Sequence, residues 1–128
     1  MNLFYLIGGI ISIFLSVAHA FWGEKNLTSD LESSNVPEET IISYSIAWHQ
    51  ISKNLLVTGV TLIVISFLDL IMGIYILALF ITIQVIGNIL VYSLILLIKK
   101  KSDLFKKTLP QLLIFAIMVV FILLGIFV

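Results

Sequence analysis

The chain has 128 residues, 61% of them hydrophobic and only 11% charged, with zero formal net charge and a mean hydropathy of +1.22. Soluble domains carry roughly 45–50% apolar and about 25% charged residues, so this composition excludes a water-covered globule and places the chain in a lipid bilayer. Zero net charge gives no footing for nucleic acid, and the absence of cysteine excludes disulfides, thiolate nucleophiles and thiolate metal sites.

A helix needs about 20 mostly apolar residues to cross ~30 Å of hydrocarbon. Four segments meet that length: 2–22, 41–68, 71–98 and 109–128. The expectation is one all-α membrane domain, a four-transmembrane-helix bundle with antiparallel up-down connectivity. In the first segment Gly8, Ser12, Ser16 and His19 recur at helical spacing and share a face. Small residues at that repeat let helix backbones approach closely in lipid, so this face is expected against a neighbouring helix. The segment ends in Ala18-His19-Ala20, a small-x-small pattern like a signal-peptidase site. Its start, Met1-Asn2-Leu3-Phe4, lacks the positive charge of a signal peptide, so the segment is read as a retained span.

The connection 23–40 is acidic: Glu24, Asp30, Glu32, Glu38 and Glu39 stand against Lys25. Asn26-Leu27-Thr28 within it matches a glycosylation acceptor. Val36-Pro37-Glu38-Glu39 reads as a helix start, with proline in the first turn and acids at the positive end of the macrodipole. In the second segment Ser45, His49, Ser52 and Lys53 share a face, and Asn54, Thr58 and Thr61 form another polar stripe. In the third, Gln84, Gly87, Asn88 and Tyr92 line up. Polar groups in hydrocarbon need partners, so these stripes are expected to face the bundle interior. The connection 99–108 holds five of the seven lysines, and the fourth segment opens with Leu109-Pro110-Gln111.

Short loops rich in lysine stay cytoplasmic. The lysine loop and 23–40 are therefore expected inside and both termini outside, in a multi-pass protein of the bacterial inner or plasma membrane. Trp22, Tyr44 and Trp48 fall at headgroup level, as an aromatic belt does. His19, Glu24, Ser45, His49, Gln50, Lys53, Asn88, Tyr92 and Gln111 all fall in the cytoplasmic half, while the other half is nearly all Ile, Leu, Val and Phe. That grading argues for a pocket open to the cytoplasm rather than a path across the membrane, which would distribute polar groups along its length.

His19 and His49, the only histidines, stand at the same edge of adjacent spans. Ionisable residues inside a bilayer are functional-site hypotheses. Two imidazoles from neighbouring helices can ligate a haem b iron from both sides. With Glu24 they offer two nitrogens and a carboxylate, a set compatible with a divalent metal such as Zn²⁺ or Fe²⁺. Glu24 lies five residues past His19, off-face in a continuous helix, and Gly23 is positioned to break the helix and swing it back. Asn88, Tyr92, Gln111, Ser45 and Trp48 are the candidates to support the imidazoles by hydrogen bonding or packing. An acid–base pair acting on a lipophilic substrate, and plain interfacial histidines bonded to neighbours and water, stay open beside these.

The pattern His19-x-x-x-Gly23-Glu24, then Trp48-His49, then Pro110-Gln111 resembles that of small four-span bacterial integral membrane proteins of uncharacterised function. The resemblance touches about seven residues and implies that these positions belong together; it implies no activity. The reading is a small membrane binding or accessory protein whose two-histidine site lies near the cytoplasmic face. The expected partners are the bilayer and another membrane subunit or a second copy. A membrane-embedded enzyme and a non-catalytic assembly subunit are the alternatives.

Overall fold

The computed structural model describes residues 1–69 and 71–128. The described residues are all-helical: α1 (Leu3–Trp22), a π-helical segment (Gly23–Thr28), α2 (Ser29–Glu32), α3 (Glu38–Ser66), α4 (Met72–Ile98) and α5 (Ser102–Phe127). Among the described residues three helices are long and apolar enough to cross a membrane: Leu3–Glu32, Met72–Ile98 and Ser102–Phe127. That is the make-up of a multi-pass membrane protein.

The fourth expected span, α3, falls outside that set. Its 29 residues give ample length, about 43 Å at 1.5 Å per residue. Its middle, however, carries His49, Gln50, Ser52, Lys53 and Asn54, and the apolar run resumes only at Leu55. The connections also differ from expectation. Residues 23–32 are helical rather than looped, and α5 starts seven residues before position 109, so Lys106 and Lys107 lie on its first turns. Lysine is a good helix former, and Pro110 sits inside α5, where it forgoes one backbone hydrogen bond to the preceding turn.

The chain divides into two compact units, Gly9–Thr61 and Met1–Gly8 with Leu62–Val128. In the second of these, α4 and α5 are joined by only Lys99–Lys101 and pack along one another. The turn is a Schellman closure of α4. The Lys100 N–H donates to Leu97 O at 3.0 Å and the Lys101 N–H to Leu96 O at 3.0 Å. It requires a left-handed residue, and Lys100 supplies it at φ 52°. At the other end of this unit Asn2 joins three helices. Its Oδ1 accepts from the Phe4 and Tyr5 N–H groups and caps α1. Its Nδ2 donates to Gly125 O at 2.8 Å, and its backbone N–H donates to Ser66 O at 2.7 Å. Tyr5, fully buried, packs on Gly125, where any Cβ would overlap its ring.

In the unit Gly9–Thr61, α1 and α3 lie close. A Cβ on Gly59 would stand 2.8 Å from the Gly9 carbonyl oxygen, so the glycine is what permits the approach. Ser12 Oγ donates to Leu55 O at 2.7 Å and Ser16 Oγ to Ser52 O at 2.6 Å, both buried. Lipid tails are as apolar as leucine, so helix association there rests on close packing and such interhelical bonds. The expected small-residue face of α1 is thus present, with Gly8, Ser12 and Ser16 buried.

Candidate functional site

His19 leaves the end of α1 half-buried, and Trp48 of α3 covers it. The two rings stack in parallel, with centroids 3.9 Å apart and 8° between planes. Trp48 Nε1 donates to the His19 carbonyl at 2.8 Å, so the indole holds both the ring and the backbone of the same residue. Trp22 and Tyr44 flank Trp48 with ring centroids at 5.8 and 6.0 Å. Gly23 is buried beneath this group, and a Cβ there would overlap the indole.

His19 Nδ1 lies 2.9 Å from Ser52 Oγ, and Ser52 Oγ lies 3.3 Å from the Trp48 carbonyl. A hydroxyl has one hydrogen. If Ser52 spends it on the Trp48 carbonyl, both contacts are satisfied only when His19 Nδ1 carries the proton and donates. Nε2 then keeps its lone pair. With Ser16 bonded to Ser52 O one turn away, α1 and α3 are fastened by a connected set of polar groups.

Glu24 reaches α3 by a route different from the expected break. The helix does not stop at Gly23 but widens into the π-helical turn Gly23–Thr28. Two carbonyls near its start accept from side chains: His19 O from Trp48 Nε1, and Trp22 O from Asn26 Nδ2 at 2.9 Å. Side-chain insertion of this kind disturbs the α-helical ladder, and π-turns re-aim the residues that follow. Glu24 Oε2 thereby stands 3.0 Å from His49 Nε2, both side chains about half exposed. At that exposure an ion pair adds little stability.

The two histidines are therefore held separately, His19 by Ser52 and Trp48, His49 by Glu24. No hydrogen bond or ring stack joins them among the described residues. Their remaining nitrogens, His19 Nε2 and His49 Nδ1, have no hydrogen-bond partner among the described residues. Among these residues no three His, Asp or Glu side chains converge as a metal-binding group. The combination of His19, His49 and Glu24 is not a preformed three-ligand centre. Among the described residues Trp48 is the expected supporting residue found against a histidine, stacking on the His19 ring and donating to its backbone carbonyl. Ser45 is half-buried and makes no side-chain hydrogen bond with the described residues.

Asn88, Tyr92 and Gln111 belong to the other unit and are described within it. All three are exposed, as is Gln84, and no atom lies within 4 Å of where a Cβ on Gly87 would stand. The polar stripe of α4, expected to face inward, is uncovered. Helical periodicity identifies a shared face but not whether its partner is in the same chain. Ser52 was legible only as a member of the polar face of α3. Its role as the hinge of the cluster had no sequence signal beyond lying one turn from Trp48. No family model, curated protein or solved structure matches the chain.

Proposed function

We propose that the protein is a small four-span accessory protein of a bacterial membrane that associates through α4 with another membrane helix, from a partner subunit or a second copy. The observation that carries this reading is the exposure of Gln84 and Asn88 midway along Met72–Ile98. Carboxamides at that depth need a hydrogen-bonding partner that lipid cannot supply. The open space above Gly87 offers close backbone approach to an incoming helix.

Crossing by α3 is supported at its far end, where the Ser66 carbonyl meets the Asn2 N–H at the start of α1. The lysines of 99–107 support an orientation with that turn in the cytoplasm and both termini outside. In this reading His19 and Trp48 are a fastening between helices, because His19 Nδ1 is engaged by Ser52 and Trp48 Nε1 by the His19 carbonyl. A second reading rests on the half-exposed His49–Glu24 pair at 3.0 Å, a geometry suited to proton exchange with a bound lipophilic molecule.

The chain has no cysteine, so single cysteines report cleanly. Gly87→Cys in native membranes should give a cross-linked adduct, while Leu79→Cys, exposed about 80° round α4 from Gly87 and opposite Asn88, should not. In the Gly87→Cys protein, Gln84→Leu with Asn88→Leu should weaken the adduct. Equal reaction at both positions, or at neither, overturns the association. An absorption spectrum and elemental analysis of the same purified protein would reveal a bound haem or metal and favour the site reading instead.

A further inference from the structure

The turn between α4 and α5 encloses a groove of about 370 Å³, large enough for a small ligand. Its floor is apolar, from Leu96, Leu97 and Phe105, and its rim carries Lys100, Lys101 and Lys106. Ser102, the first residue of α5, also lines it. Lys101, the residue before α5, makes no side-chain cap to the helix. The first-turn N–H groups of a 26-residue helix and its positive dipole end therefore lie at the groove. None of the three lysines is within ion-pair distance of a carboxylate among the described residues, and Asp103 does not line the groove. Three ammonium groups and a helix N-terminus recognise a phosphate. An apolar floor at the end of two membrane-crossing helices recognises the start of an acyl chain.

We infer that this groove binds the phosphate headgroup of an anionic phospholipid, with the first part of an acyl chain laid on Leu96, Leu97 and Phe105. The inference is independent of the role proposed for α4 and of the histidines. The Schellman closure explains why the site has shape. It turns Lys100 into the left-handed region and reverses the chain, so that Lys100 and Lys101 of the turn share one rim with Lys106 of α5. Other cytoplasmic lysines attract anionic headgroups too, but only by their charge. Lys99 and Lys107 do not line the groove, and they provide the control.

Purified full-length protein would be reconstituted in phosphatidylcholine bilayers with and without phosphatidylglycerol, and bound lipid counted by native mass spectrometry. Wild-type protein should retain phosphatidylglycerol selectively. Lys101→Gln with Lys106→Gln should lower that retention by about fivefold per lysine, the factor expected for ~1 kcal/mol each. Lys99→Gln with Lys107→Gln, the same change in charge, should leave it within about twofold. Equal losses in the two pairs would mean diffuse attraction and overturn the site. So would wild-type protein that does not discriminate between the lipids, a result that does not depend on any variant folding. Inorganic phosphate displacing the lipid at millimolar concentration would mark a free-anion site and overturn the lipid assignment.

Discussion

His19 shows how one residue can be read two ways until its neighbours are known. As an ionisable group at the end of an apolar segment it points to ligation or catalysis. Stacked on Trp48 and bonded to Ser52, it is a fastening between α1 and α3. The two roles predict different losses. If His19 fastens the helices, His19→Ala and Ser52→Ala should each destabilise the protein. Their double-mutant cycle should yield a coupling of about 1 kcal/mol, within the range of interhelical hydrogen bonds in membranes. His49→Ala, which breaks a half-exposed pair, should cost less than about 0.5 kcal/mol. Reversible unfolding in mixed detergent micelles measures all four. A large cost at His49 with additive effects at His19 and Ser52 would return the pair to the status of a shared ligand site.

At the scale of elements, the turn after α4 carries a backbone penalty. Lys100 occupies the left-handed region that glycine adopts freely, at a cost of roughly 1–2 kcal/mol for a residue with a Cβ. Lys100→Gly should therefore raise the stability of the α4–α5 pair by about 1 kcal/mol, read as a higher midpoint in the same unfolding experiment. An unchanged or lower midpoint would mean that the lysine side chain stabilises the turn by as much as its backbone strains it. The sequence disclosed some elements and concealed others for physical reasons. The repeat Gly8, Ser12, Ser16 signalled a packed face because only small residues allow the contact seen. Pro37 marked a helix start, and α3 begins at Glu38. Gly23 was ambiguous, since glycine both ends helices and admits a bulky neighbour. The neighbour, Trp48, lies 25 positions along the chain. The lysine run and Pro110 looked like a boundary, yet lysine tolerates helix well and proline removes only one bond.

For the whole molecule, the polar middle of α3 makes the number of bilayer crossings a measurable quantity. With four crossings Ser33 and Ser102 lie on the same side of the membrane; with three, α3 stays at the surface and they lie on opposite sides. Ser33→Cys and Ser102→Cys should both resist an impermeant thiol reagent on intact cells, while Val128→Cys should react. Labelling of only one of Ser33→Cys and Ser102→Cys would reduce α3 to a surface helix. Hydropathy alone located the apolar helices, but it could not rank α3, whose polar side chains are partly consumed by partners that only the fold reveals. The bond from Asn2 to Gly125 has a further consequence, for the order of events during synthesis. The fastening of α1 to α3 through Ser12, Ser16 and His19 can close as soon as residue 61 has been made. The Asn2 Nδ2 group at the start of α1 finds its acceptor, the Gly125 carbonyl, 123 positions later. α1, made before the other helices described, is thus the last to be secured along its whole length. Until the final turn of α5 is inserted, its leading end must wait in the bilayer with the Asn2 amide unanswered, open to chaperones, proteases and rival helices alike.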